Sequence, residues 1–482
     1  MLLRVLTAIL FLVVLSGVAL RAGKLSRYMF DIERKSDALE TRRASDDDEF
    51  GFHRYSAARH NCLTAYVIAA DLARRGVENL YQKSYYRGTD VPTRYHIQIA
   101  DQLTIDRYQY PPQFLLLPHA LTYISTEFMT IRSIWFCLNL SLLLVAMLAV
   151  GRWCGGKWLS LETAVCLLPL TAPTVLIALQ YGNAHVYVLA AAMIGMLLIE
   201  TGRERSGGAL LAVAVVSKVF PAILLVYLAV RRRWRAIAWA VSALAVVTLL
   251  SVAVHGTHPI EAFLSFQLPR LANADAFDFV RARSRPIAVN MSAYGIPFKL
   301  DELGMSIDNR LVWATFCASC QTVATLLAAL FCGLRAPNPM CQDGDTDLAR
   351  RCRVREAAMW LVMLILAQQQ SPYLPWDYGT IAPLWLLTLL LPARRVWYRR
   401  LLPITLLWLW MAMPIPLPFG ANTYPVANFY VLVGCVLILA CCAGAVGLRI
   451  GLLQDSARVL ADQALHRQQV EAVSNSTRTP SP

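Results

Sequence analysis

The chain has 482 residues, of which 57% are hydrophobic and only 16% are charged, whereas a typical soluble domain is about 25% charged. This composition excludes an ordinary soluble domain and predicts a polytopic membrane protein. The formal net charge is +14, but the arginine clusters at 231–235, 350–355 and 394–400 each border an apolar segment. Such positions are typical of cytoplasmic topology signals and of contacts with lipid head groups, so nucleic-acid binding is disfavoured.

The first predicted elements are an apolar helix at 3–20 and a long polar segment at 21–111, here called the first long loop. We interpret the helix as an uncleaved transmembrane helix rather than a signal peptide. The loop contains an acidic run at 46–49, whose carboxylates could supply a general base or bind a divalent cation. A solvated charge run is the alternative. Residues 63–76 then predict an amphipathic helix that ends at Gly76. It either lies on the membrane interface or packs on the helical bundle.

Eleven further apolar segments follow, which gives about twelve crossings with both termini in the cytoplasm. They lie near 113–127, 132–151, 161–178, 184–199, 208–230, 236–254, 310–333, 357–370, 378–392, 401–417 and 426–448. Because lipid cannot pair with backbone polar groups and the alternation of a membrane barrel is absent, we predict an all-α fold. An alternative folds 113–127 and 208–230 into re-entrant hairpins, broken near Pro118 and Lys218.

Isolated polar groups mark the candidate binding positions. Lys218 interrupts an apolar run, at a cost of about 2.5–3.5 kcal/mol unless it meets a partner or a water-filled cavity. The phosphate of a lipid-linked donor would be a suitable partner, and snorkelling to the interface is the alternative. A second long loop, residues 255–309, carries basic side chains that could hold an anionic leaving group or contact lipid phosphates. In a third loop, Asp377 is a further acidic candidate.

The order of several motifs resembles glycosyltransferase family 87, the polyprenyl-phosphate-mannose-dependent mannosyltransferases of the GT-C superfamily. These motifs cover roughly residues 60–390, and each is weak alone. They are Tyr66–Gly76 with Tyr81, Tyr110-Pro111-Pro112, Gln180–Asn183, Lys218–Pro221, Tyr227–Ala236, Asn290-Met291-Ser292 and Ser371-Pro372.

This resemblance implies a GT-C-like membrane glycosyltransferase domain over residues 1–453, with both long loops extracytoplasmic. Composition predicts that the polar tail 454–482 is disordered and cytoplasmic. The implied activity is inverting transfer of a hexose, with mannose first, from a polyprenyl-phosphate donor to a lipid or glycan acceptor. No cofactor is required, although a divalent cation is possible, and the implied location is a bacterial inner membrane. A lipid-linked sugar transporter or flippase and a non-catalytic assembly subunit are the alternatives.

One departure from the family affects the choice of catalytic base. The family commonly has an aspartate just before the aromatic–Ala-Ala stretch, and Cys62 stands there. Three explanations follow from this departure. The base has moved to the acidic run, with Asp48 as the first candidate; His60 or Asp71 serves as the base instead; or this member is inactive or differently employed. The catalytic candidates are Asp48, Asp47, Asp46, Glu49, His60 and Asp71. The candidates for donor binding are Tyr110, Lys218, Arg281, Arg283, Arg285 and Asn290. No metal ligand is assigned.

Overall fold

The computed structural model describes residues 2–30, 61–86, 105–158, 160–334, 347–391, 398–415 and 424–447. Within these ranges the chain is α-helical, with short 3-10 turns and no β-strand. One isolated antiparallel bridge joins Asn290 to Pro375. The predicted all-α class is thereby confirmed.

The helices follow the apolar pattern of the sequence. As far as residue 255 they are α1 (Leu2–Phe30), α2 (Leu63–Arg74), α3 (Leu116–Thr122), α4 (Phe128–Gly155), α5 (Leu161–Cys166), α6 (Pro173–Tyr181), α7 (His185–Glu200), α8 (Glu204–Ser217), α9 (Ile223–Val230) and α10 (Trp234–His255). The second long loop forms five short helices: α11 (His258–Ala262), α12 (Leu268–Ala272), α13 (Phe279–Ala282), α14 (Ser284–Val289) and α15 (Ile296–Glu302). The remainder are α16 (Arg310–Leu334), α17 (Asp347–Gln368), α18 (Trp376–Gly379), α19 (Ile381–Leu390), α20 (Tyr398–Ala412) and α21 (Tyr424–Gly447).

Five of the described helices are long and apolar enough to cross a membrane: α1 from Thr7 to Arg27, α4, α10, α16 and α21. A sixth span results if α5 and α6, with the turn between them, count as one element, which is bent by 62°. The predicted count of twelve crossings is therefore not confirmed.

The difference arises where apolar segments are broken or charged. The predicted segment 208–230 is two helices, because Lys218 adopts an extended backbone between α8 and α9 and Pro221 follows in a 3-10 turn. The other predicted break, near Pro118, falls instead at a 3-10 turn over Pro112–Leu115. α17 contains a predicted segment, but its first half carries Arg353, Arg355 and Glu356. Apolar length alone does not separate these elements from simple spans.

The core lies among helices that are buried on nearly every side. α7 and α19 have almost no exposed residue, and α17 is buried from Cys352 to Gln368. Helices such as α10 and α16 instead expose a row of large apolar side chains, including Leu249 and Leu327. Such rows are suited to contact with lipid. The fold is thus a packed helical centre with apolar spans around it.

The two long loops meet beside the packed helices. Lys83 of the first loop lies 2.5 Å from Asp278 of the second, and Arg107 lies 3.5 Å from the same carboxylate. The Gln109 side chain also donates to the carbonyl of Ala276 at 3.1 Å. The two long loops are therefore in contact through their described residues.

Candidate functional site

The site is built on a turn between α6 and α7 that docks against the start of α2. Cys62 donates its backbone N–H to the carbonyl of Tyr181 at 2.8 Å, and Asn61 donates its side-chain amide to Gln180 at 2.9 Å. The turn needs Gly182, whose φ of +64° lies in the left-handed region. A Cβ there would also lie 3.1 Å from both Asn61 Oδ1 and Trp135 Cδ1. Asn183 is thereby held beside Cys62.

Lys218 enters this site from the break between α8 and α9. Its Nζ donates to Asn183 Oδ1 at 3.0 Å and lies 5.4 Å from the Tyr110 ring centre and 5.1 Å from that of Tyr378. These partners offset part of the cost of a lysine among apolar helices. Lys218 as a whole keeps partial exposure.

An acidic residue, Asp106, lies close to Cys62 in the structure. The backbone N–H of Asp106 donates to Thr64 Oγ1 at 3.1 Å, which places the residue at the start of α2. The charge of the Asp106 side chain acts on the Cys62 thiol. Burial raises the pKa of the Cys62 thiol well above its ordinary value, and the charge of Asp106 raises it further. The thiol is therefore protonated at neutral pH.

An aromatic wall supports the segment that carries Asp106. The hydroxyls of Tyr66 and Tyr110 lie 3.0 Å apart, and Tyr81 donates to the carbonyl of Tyr110 at 3.0 Å. The Tyr66 ring meets the Tyr110 and Phe114 rings edge-on, with centres 5.1 Å and 4.9 Å away. Edge-on pairs of this kind are stabilising, so the position of Tyr110 is fixed by packing on several sides.

A second carboxylate, that of Asp377, lies near the first. Burial raises the pKa of Asp377 to about 7, and the positive charge of Arg285 opposes part of that rise. Both acids act on Tyr373. Burial raises the pKa of the Tyr373 phenol, and the negative charges of Asp377 and Asp106 raise it further. Asp106 and Asp377 both keep partial exposure. Both carboxylates act on Tyr373, and Lys218 lies beside Tyr110 and Tyr378; this group of residues is here called the cleft.

Of the six predicted catalytic residues, only Asp71 lies within the described residues. Asp46, Asp47, Asp48, Glu49 and His60 lie outside the described residues. Asp71 is buried near the end of α2, where Arg74 and Arg75 each lie 2.7 Å from its carboxylate. Its carboxylate is thus occupied by ion pairs within its own helix.

Two of the predicted donor-binding residues, Tyr110 and Lys218, lie side by side in the cleft. Arg281 is held within the second loop by Tyr294, Asn273 and Asp275.

Two other basic candidates, Arg283 and Arg285, are exposed on the same loop. The charge of Arg285 acts on Asp377 in the cleft.

Asn290 is fully buried and has a structural arrangement. Its side-chain amide donates to Pro372 at 3.0 Å and accepts from the N–H groups of Ser292 and Leu374 at 3.0 and 2.9 Å. These bonds fix the loop that leads to Asp377.

The sequence analysis missed Asp106 and the bridging side chain of Asn183. A single aspartate in a polar loop carries no signal of its own, and Asn183 was included in the motif Gln180–Asn183 without a role for its side chain. The usable signal was the departure at Cys62, because a site that lacks one carboxylate requires another nearby. Asp106 stands four residues before the motif Tyr110-Pro111-Pro112, which had already been singled out.

Comparison with known proteins supports the predicted family. The model of glycosyltransferase family 87 matches residues 108–342. This match covers Tyr110, Asn183, Lys218 and Asn290, and it confirms the resemblance predicted from the motifs. The matched region is therefore similar to that of a glycosyltransferase family, and it includes helices long and apolar enough to cross a membrane. Searches of curated proteins and of solved structures found no significant match.

Proposed function

We propose that this protein transfers a hexose, with mannose as the first candidate, from a polyprenyl-phosphate donor to a lipid or glycan acceptor. The observation that supports this most directly is the convergence of Asp106 and Lys218 on one cleft between the two long loops. A base and a fixed cation are the two groups that such a transfer requires. The family match supports glycosyl transfer in general.

In the proposed reaction, the Asp106 carboxylate removes the proton of the acceptor hydroxyl. The hydroxyl oxygen attacks the anomeric carbon of the sugar while the bond from that carbon to the phosphate oxygen breaks. The bonding electrons leave with polyprenyl phosphate, and the ammonium of Lys218 stabilises the charge that develops on that oxygen. Attack opposite to the leaving phosphate inverts the configuration at the anomeric carbon.

Asp106 takes precedence over Asp48 as the proposed base because it lies at the start of α2, where its charge acts on the thiol at position 62. The acidic run from Asp46 to Glu49 remains the second candidate. Neutral amide variants separate the two: Asp106→Asn abolishes transfer in our proposal, whereas Asp48→Asn leaves most of it. The reverse result would return the base to the acidic run.

The decisive experiment uses the full-length protein in liposomes, with radiolabelled polyprenyl-phosphate mannose and a panel of lipid and glycan acceptors. Transfer of label to an acceptor that wild type modifies and Asp106→Asn does not would support the proposal. Movement of the donor across the bilayer without transfer would identify a flippase. Neither activity would favour an assembly subunit.

We further propose that the cleft faces the extracytoplasmic side of a bacterial inner membrane, with both termini in the cytoplasm. The arginine clusters at 231–235, 350–355 and 394–400 support this orientation. Cysteine introduced at Arg283 is expected to react with an impermeant maleimide in intact cells.

Transfer that persists in excess chelator would show that the reaction needs no divalent cation.

A further inference from the structure

We propose that Asn183 and Cys62 are positioning residues that join Lys218 to Asp106 through one hydrogen-bonded chain. The chain holds the phosphate end and the base end of the cleft at a set separation. This inference rests on the proposed function, because the two ends receive their roles from it. The contacts that define the chain are independent of that function.

The first link is the amide of Asn183, whose orientation follows from its neighbours. Its Oδ1 accepts from Lys218 Nζ at 3.0 Å and from the backbone N–H of His185 at 2.9 Å. Both neighbours can only donate, so the oxygen must face them. The amide nitrogen is therefore directed the other way, where it donates to Cys62 Sγ at 3.3 Å.

The second link is the Cys62 thiol, which accepts from Asn183. In the proposed chain it donates to Asp106, whose backbone N–H is bonded to Thr64 two residues along and whose charge acts on the thiol. The backbone of Cys62 is fixed by its bond to Tyr181, so the sulfur has little freedom to move. Cys62 and Asn183 are 7% and 3% exposed. They therefore act through Lys218 and Asp106 rather than by touching substrate.

The chain also makes the thiol a reporter of its two neighbours. The negative charge of Asp106 raises the pKa of the thiol, while the amide of Asn183 lowers it. Loss of the carboxylate should therefore increase the thiolate fraction, and loss of the amide N–H should decrease it. Two opposite changes from two substitutions form a signature that simple loosening of the fold would not produce.

The test measures the alkylation rate of Cys62 by iodoacetamide in the purified full-length protein, by peptide mass spectrometry over a pH series. We expect Asp106→Asn to accelerate alkylation at fixed pH about three- to tenfold, and Asn183→Asp to slow it by a similar factor. Asn183→Leu provides a second variant if the introduced charge perturbs the site. Cys154, which is fully buried, is the internal control, because it reacts only if the helices open.

Alkylation rates that do not change in either variant, or that rise in both, would overturn the proposal. Because this measurement requires no transfer, its outcome is independent of the proposed function. In an active preparation, Cys62→Ala should lower kcat about 10- to 100-fold with little change in the donor KM. Cys62→Ser should retain most of kcat, because a hydroxyl can replace the thiol as donor. Equal losses in the serine and alanine variants would contradict the positioning role.

Discussion

Replacement of Lys218 by methionine is the most informative single perturbation of the cleft. Methionine keeps the length and apolar stem of lysine but removes the ammonium that binds Asn183 and lies between the rings of Tyr110 and Tyr378. A phosphate that binds there would lose its charge partner. The loss should be larger in the transition state, where negative charge develops on the leaving oxygen.

The partial exposure of Lys218 sets the size of the effect. Two unit charges about 4 Å apart interact by about 4 kcal/mol at the effective dielectric constant of about 20 that suits such a site. The ammonium already has Asn183 as a partner, so a net loss of about 2–3 kcal/mol is expected for a charge-assisted hydrogen bond. This corresponds to a fall in kcat/KM for the donor of about 30- to 150-fold.

The assay is donor titration with the protein in liposomes, at a fixed acceptor concentration. Lys218→Arg is the matched control, because it retains the charge and should recover much of the loss. Thermal unfolding in detergent should show that the methionine variant is folded, since removal of a partly buried charge is not expected to destabilise it. A folded methionine variant with kcat/KM within about twofold of wild type, a change of only about 0.4 kcal/mol, would refute the role of Lys218.

Three further predictions concern other parts of the cleft. Asp106→Asn should reduce transfer about 10²- to 10⁴-fold as expected for loss of a general base, in the same liposome assay; more than half of wild-type activity would exclude it. Asp377→Asn should raise thermal stability at about pH 8 but not at about pH 4, because the native pKa of about 7 makes ionisation of Asp377 unfavourable to the folded state. The pKa of Asp377 in the folded protein lies above its ordinary value, so the stability linked to this group is present at low pH and is lost as pH rises through about 7. If the substitution changed the melting temperature equally at both pH values, this reasoning would be contradicted. Gly182→Ala should destabilise the protein by about 1–3 kcal/mol, because alanine must adopt the left-handed backbone beside Asn61, and an unchanged unfolding midpoint would be inconsistent with the turn described.

The sequence predicted the position of many helices but not their relation to the membrane. The segments 132–151, 236–254 and 310–333 fall inside α4, α10 and α16. Hydropathy reports burial away from water, whether in lipid or in protein. It therefore cannot separate α10, which faces outward, from α7, which is buried on nearly every side.

The sequence predicted one half of the cleft. Lys218 attracted attention because a charge among apolar residues is costly, and Tyr110 because its motif has a family parallel. Asp106 is a polar residue in a polar loop, where a carboxylate costs nothing. Its proposed role follows from its position near Cys62 in the folded chain. No local sequence pattern predicts that proximity.

The ion pair between Arg107 and Asp278 has a consequence for how this protein can change. Arg107 is joined by a single peptide unit to Asp106, and its guanidinium lies 3.5 Å from the carboxylate of Asp278. The second long loop thus helps to position the segment that carries Asp106. Substitutions in that loop are therefore expected to shift Asp106. In the proposed reaction, such a shift would change the choice of acceptor without replacing any group that takes part in bond breaking.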